Sequence, residues 1–145
     1  MSAESNFDIE KLRFILEHDN HDTRAALKEL FKDELYTPRY AVPLEEERRL
    51  AYERLKKICE GGHISVNNFI DNPHRIFSVH EAVGMVDGAT ATKMTVQFNL
   101  FGGTLLKLGT QKHHDKYVKE IDQFKSVGCF GLTELGYGNN AVEME

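Results

Sequence analysis

The chain has 145 residues, with 41% hydrophobic and 28% charged side chains, three prolines and a formal net charge of −5 from 18 basic against 23 acidic residues. This composition fits one globular domain and excludes collagen-like, low-complexity and disordered chains. The acidic balance points away from nucleic acid, and no apolar run reaches the roughly 18–20 residues of a membrane span, so neither is expected as a partner. No charged-then-apolar leader opens the chain. Cys59 and Cys129 stand alone, without CxxC spacing, and read as buried thiols in a reducing compartment.

Residues 1–60 hold 25 of the 41 charged residues and no glycine; all 11 glycines come later. The first part therefore reads as amphipathic surface helices. One helix is predicted over Phe7–Asp19, with Ile9, Leu12, Ile15 and Leu16 on its buried face. A second is predicted over Asp22–Asp33, capped by Asn20 or Asp22, with Ala26, Leu27, Leu30 and Phe31 as its stripe. Leu35–Tyr40 is a connector, because Pro38 disfavours helix at Thr37. Pro43 then opens a third helix, where Glu45, Glu46 and Glu47 suit the positive N-terminal end. Leu44, Ala51, Leu55 and Ile58 form its buried face, and Gly61-Gly62 ends it.

Asp71-Asn-Pro73 opens another helix, with Ile76, Val79, Val83 and Val86 at helical spacing. His74 and His80 on it read as ordinary surface or core-edge histidines. From Ala89 to Leu108 the chain is almost wholly apolar, interrupted at Phe101-Gly-Gly103. Such a stretch is central in the domain or lies against a partner. A last helix is predicted from Thr110 to Phe124. Its adjacent His113 and His114 diverge, which suits joint ligation poorly, so no metal site is expected.

Val127–Thr133 reads as a short buried strand, and Glu134–Asn140 as a glycine turn for unusual backbone angles. A lone strand poses a problem, because its backbone groups need partners that nothing earlier in the chain supplies. The expectation is a chain that stops early relative to its full structure. The boundary is set at 125/126: a helical domain over residues 1–125, and the start of an incomplete β domain over 126–145.

Alone, Gly136-x-Gly138 is a weak signal for a ligand loop. Its surroundings say more. Gly128-Cys-Phe-Gly-Leu-Thr-Glu-Leu-Gly-Tyr-Gly-Asn-Asn140 closely resembles the flavin-binding segment of the acyl-CoA dehydrogenase and oxidase superfamily. Phe98-Asn-Leu-Phe-Gly-Gly-Thr-Leu-Leu-Lys-Leu-Gly-Thr-Gln-Lys-His-His114 resembles the oxidase branch, and His74-Arg-Ile-Phe77 also fits. The resemblance runs in order through residues 5–145 and implies a mainly α fold: the N-terminal helical domain of this type, ending in the first strand of a truncated β domain.

It also implies FAD as cofactor and a fatty acyl-CoA as substrate. Phe130, Leu132 and Thr133 correspond to residues that face the flavin, with Thr133 bonding the isoalloxazine ring through its hydroxyl or amide. Gly136 and Gly138 correspond to the loop that passes cofactor and thioester. Asn139 stands where relatives often have serine near the phosphates, and Leu135 where many dehydrogenases have proline. The family converts acyl-CoA to trans-2-enoyl-CoA, and its oxidases release hydrogen peroxide. Its glutamate base belongs to a C-terminal domain, so no catalytic residue is assigned in this chain. Family members dimerise, and self-association of the chain is expected.

The resemblance further implies a peroxisomal location. Lys11-Leu-Arg-Phe-Ile-Leu-Glu-His18-Asp19 resembles an N-terminal peroxisomal targeting nonapeptide, with Asp19 in place of the final apolar residue. A second reading is a non-catalytic helical module that docks on a full-length relative through Phe98–Leu108 and the terminal strand.

Overall fold

The computed structural model describes residues 7–144, and helix accounts for 64% of them. Helix α1 spans Ile9–Leu16, with Asp8 accepting a hydrogen bond from the Lys11 amide at 2.9 Å as its N-cap. It is shorter than its periodicity predicts, and its apolar face is a correction. Ile9, Leu12, Ile15 and Leu16 are all exposed, because no other element covers them among the described residues.

Helix α2, His21–Leu30, buries Leu27 fully and Leu30 partly, while Ala26 is exposed. Asn20 precedes it in a left-handed conformation, φ 48°, and makes no capping bond with its side chain. Its amide donates to Ser78 Oγ at 3.2 Å, and its carbonyl oxygen accepts from Asn72 Nδ2 at 2.8 Å. A 3-10 turn, Glu34–Tyr36, overlaps the start of the expected connector and buries Tyr36.

Helix α3, Leu44–Glu60, is the long amphipathic helix that its sequence predicts. Leu50, Ala51, Leu55, Ile58 and Cys59 are buried; Leu44 at its start is exposed. Burial pushes the Cys59 thiol up to about 12. Gly62, at φ +66°, turns the chain away in the conformation that favours glycine. A short helix α4, Asn68–Asp71, leads into α5, Pro73–Val86, which Asn72 caps through the Arg75 amide. Helix α5 buries Ile76, Val79 and Val83, with Val86 at the core's edge.

The apolar stretch is one continuous helical rod built from α6, Gly88–Met94, a π-helical segment, Thr95–Gly102, and α7, Gly103–Leu108. Phe101-Gly-Gly103 is therefore no break. The Gly103 amide donates to the Phe98 carbonyl, five residues back, which is the π pattern. Met94 and Phe98 are completely buried, so most of this stretch is spent on the chain's own core. At Gly102 the rod packs closely: a Cβ there would lie 2.8 Å from Val66 Cγ2 and 3.2 Å from the Gln97 carbonyl oxygen. Helix α8, Gln111–Asp122, contributes Ile121, and Phe124 closes it at φ 56°.

Helix α3 packs on α6, and α2 and α6 pack on α5, so α5 and the rod form the middle of the bundle. One buried cation knits these layers. Arg54 donates to the carbonyls of Leu35 at 2.8 Å and Thr37 at 3.0 Å, and to Asp87 Oδ2 at 2.9 Å. Burial raises the Asp87 carboxyl, but hydrogen bonds from Thr90, Arg54 and the Ala89 amide outweigh it and hold the group below its ordinary value.

The predicted strand is absent. Residues 127–133 run as irregular backbone, and the one bridge among the described residues joins Glu134 to Gly138. The physical reason is that residues 7–126 supply no second strand, so the segment finds other partners.

Candidate functional site

Those partners come from the π-helical rod. The buried Gln97 side chain does what a neighbouring strand would do for one residue pair. Its Nε2 donates to the Ser126 carbonyl at 2.7 Å and to the Ile121 carbonyl at 3.3 Å, while its Oε1 accepts from the Gly128 amide at 3.1 Å. Buried amide groups satisfied in this way hold a segment in place at modest net gain; left unpaired, they cost more. The Phe101 ring lies directly against Gly128, where a Cβ would sit 2.0 Å from ring carbons. Ser126 is tied further to α8, donating to Glu120 Oε2 at 2.5 Å.

Beyond this anchor the segment leaves the body. Val127, Phe130 and Leu132 are 57%, 40% and 45% exposed, and Leu135 is fully so. The exposure of Cys129 corrects its reading as a buried thiol. Glu134 accepts from the amides of Tyr137 at 3.2 Å and Gly138 at 3.0 Å, which forms a tight turn. Gly138 stands at φ +55° and needs its freedom; a side chain at Gly136 would meet open space.

Phe130 lines a 320 Å³ cavity with Phe101, Thr104, Leu105, Leu108, Gly109, His113 and Cys129. The other called residues, Leu132, Thr133, Gly136, Gly138 and Asn139, lie along the exposed continuation rather than in that cavity. They form a strip and not a pocket. Gln97 and Phe101 hold the strip; Phe101 falls in the quoted Phe98–His114 stretch, whereas Gln97 lies just outside it, and a glutamine inside an apolar helical run is the signal that points to it.

The two adjacent histidines have structural duties. His113 Nδ1 receives the Thr110 amide at 3.1 Å and stands 2.8 Å from the Thr110 hydroxyl, so the pair caps α8. His114 Nε2 lies 3.1 Å from the Leu105 carbonyl oxygen and joins α8 to α7. Among the described residues no helix is long and apolar enough to cross a membrane.

No family profile matches the chain, and no solved structure does. Individual relatives do. The chain is 35% identical over 115 residues to acyl-coenzyme A oxidase 2, peroxisomal, of Arabidopsis thaliana, an alignment covering 79% of this chain and 16% of the relative. It is 31% identical over 104 residues to peroxisomal acyl-coenzyme A oxidase 3 of Homo sapiens, with 72% and 15% covered. Similarity to acyl-coenzyme A oxidase 2 of Yarrowia lipolytica reaches across 99% of the chain at 26% identity, over 21% of that protein. The chain thus spans less than a quarter of the length of these curated relatives. By its similarity to these relatives over most of its length, the chain belongs to the acyl-CoA oxidase family, of which it represents an N-terminal portion.

Proposed function

We propose that this chain supplies the N-terminal helical part, residues 1–125, and the first flavin-facing strip, residues 126–145, of an FAD-dependent acyl-CoA oxidase. The reaction is acyl-CoA plus dioxygen to trans-2-enoyl-CoA plus hydrogen peroxide, and the relatives' names support a peroxisomal setting. The observation that carries the reading is the Thr-Glu-x-Gly-x-Gly segment held outward from the helical bundle through Gln97, with Thr133, Gly136 and Gly138 exposed.

The strip fits one edge of a flavin and not a whole dinucleotide. An exposed hydroxyl at Thr133, the open backbone at Gly136 and the apolar Leu132 suit contact with a ring. No cavity among the described residues combines them, and the one that Phe130 lines measures 320 Å³. Bound FAD would supply the hydride acceptor for the β hydrogen and the electrons passed to dioxygen. This chain's part is to hold: Thr133 as hydrogen-bond partner of the ring, Phe130 and Leu132 against it, Gly136 and Gly138 giving the backbone clearance, and Asn139 toward the phosphates.

Alone, the chain binds flavin weakly and turns over no acyl-CoA. One or two hydrogen bonds of about 0.5–1.5 kcal/mol each do not offset the several kcal/mol lost on immobilising such a ligand. The exposed row of Val127, Phe130, Leu132 and Leu135 lacks a covering surface and favours self-association. The test is a chimera in which this chain replaces the matching portion of the Arabidopsis relative. The chimera is expected to retain flavin and release peroxide, with Thr133→Ala lowering flavin retention or slowing flavin reduction. A folded, flavin-loaded chimera indifferent to Thr133→Ala would overturn the assignment of that residue. Stoichiometric flavin on the 145-residue chain would overturn the claim of weak binding.

A further inference from the structure

We propose that His18, Asp19 and His74 form a site for a divalent transition-metal ion of the zinc class, one that ties the turn between α1 and α2 to the first turn of α5. One ligand atom from each of the three lies within 4.8 Å of the others. Asp19 Oδ2 is 3.6 Å from His18 Nε2 and 3.4 Å from His74 Nδ1. Bonds of about 2.0–2.1 Å at a tetrahedral ion put neighbouring ligands roughly 3.4 Å apart, so these separations match the edges of a zinc-type polyhedron. Two imidazoles and one carboxylate, with a fourth position left to water, are a ligand set that such ions take and that Mg²⁺ and Ca²⁺ do not favour.

The carboxylate is fixed in advance, as the ligands of built metal sites are. Its Oδ1 accepts from Arg24 at 2.9 Å and from Ser78 Oγ at 2.8 Å, which leaves Oδ2 turned to both imidazoles. The Ser78 oxygen also lies 2.8 Å from the His74 carbonyl oxygen and receives the Asn20 amide, so its single proton is shared between Asp19 and the first turn of α5. Arg24 does not leave the cluster positive, because its guanidinium also bonds Glu81 at 2.8 Å. Two carboxylates against one guanidinium leave that group of three with a net negative charge. Asp19 is 18% exposed while His18 and His74 are 65% and 71% exposed, so the anchor is held and the mouth is open to an incoming ion. The sequence gives no ligand spacing for this site, because residues 18 and 19 meet residue 74 only through the packing of α2 on α5.

The experiment uses the 145-residue chain. Co²⁺ is titrated and followed by its visible d–d absorption, with Zn²⁺ then competing it off. The expected result is saturable 1:1 binding in the micromolar range, about tenfold or more weaker in His18→Ala and in His74→Ala, and unchanged in His113→Ala. Both lost side chains are exposed, so circular dichroism should show the variants folded. Zn²⁺ should raise the melting temperature of the parent chain and not that of His74→Ala. Binding that survives His74→Ala, or no saturation below millimolar Zn²⁺, would overturn the proposal.

Discussion

Helices α1 and α3 are both amphipathic, and both begin with acidic residues in the first turn, yet only α3 buries its stripe. Leu55 and Ile58 of α3 are at most 1% exposed, whereas Ile9 and Ile15 of α1 are 61% and 58% exposed. The difference lies in what faces each helix. Helix α3 meets α6 along its length; α1 is held at its end by the stacking of Phe14 on His21 and by the Glu17–Lys28 ion pair. Periodicity reports which face of a helix is apolar. It does not report whether the surface that covers that face belongs to the same stretch of chain.

The sharpest way to break this contrast is to cut the polar tie of the buried side. Arg54→Ala leaves the carbonyls of Leu35 and Thr37 without their buried donor and the half-buried Asp87 without its cation. Losing one partner of a buried pair costs about 3–5 kcal/mol, to be read from urea unfolding. If the loss is under about 1 kcal/mol, the cation is not what joins α3 to the rod. Gly102→Ala comes next. The added methyl group meets Val66 and the Gln97 carbonyl at 2.8 Å and 3.2 Å, and overpacking of this kind costs about 1–3 kcal/mol.

A pH titration adds a smaller effect from the same buried side. Burial lowers His80, whose Nε2 has no hydrogen-bond partner, and burial together with Arg75 lowers His63. The unfolded chain takes up protons near the ordinary value of 6.5 that the folded chain refuses, so stability is whole above that pH and falls as pH drops below it. His80→Leu should flatten that slope; an unchanged slope would mean that His80 is protonated in the fold. The smallest effect belongs to α1. Ile15→Ser removes an apolar group already in water and should shift stability by no more than about 0.5 kcal/mol in the same unfolding assay. A larger loss would show that α1 is covered in solution.

Much of the bundle was legible in the sequence, because its signals are local. Pro43 with its three glutamates, Asn72-Pro73 and the stripes of α3 and α5 each mark a helix through neighbours within a turn or two. Phe101-Gly-Gly103 interrupts the apolar run and not the helix, which local signals leave open. Glycine pairs usually end helices, but here Gly102 is needed for close approach to Val66 while the helix continues. At the candidate site the motif named Phe130 and the strip from Leu132 to Asn139, yet not what holds them. Gln97 and Gly128 are 31 residues apart, and Asp19 and His74 lie on different elements; such pairs appear only once the packing is known.

The π-helical segment bears on chain length as well as side-chain type. An α-helix advances about 100° per residue, so a one-residue deletion in α6 would rotate everything after it by that angle, whereas the same deletion between Thr95 and Gly102 is absorbed as the surplus residue of the π segment relaxes into α-helix. Substitutions along the rod are thus graded by size and polarity, whereas the place of a single-residue deletion decides whether the chain after it keeps its facing.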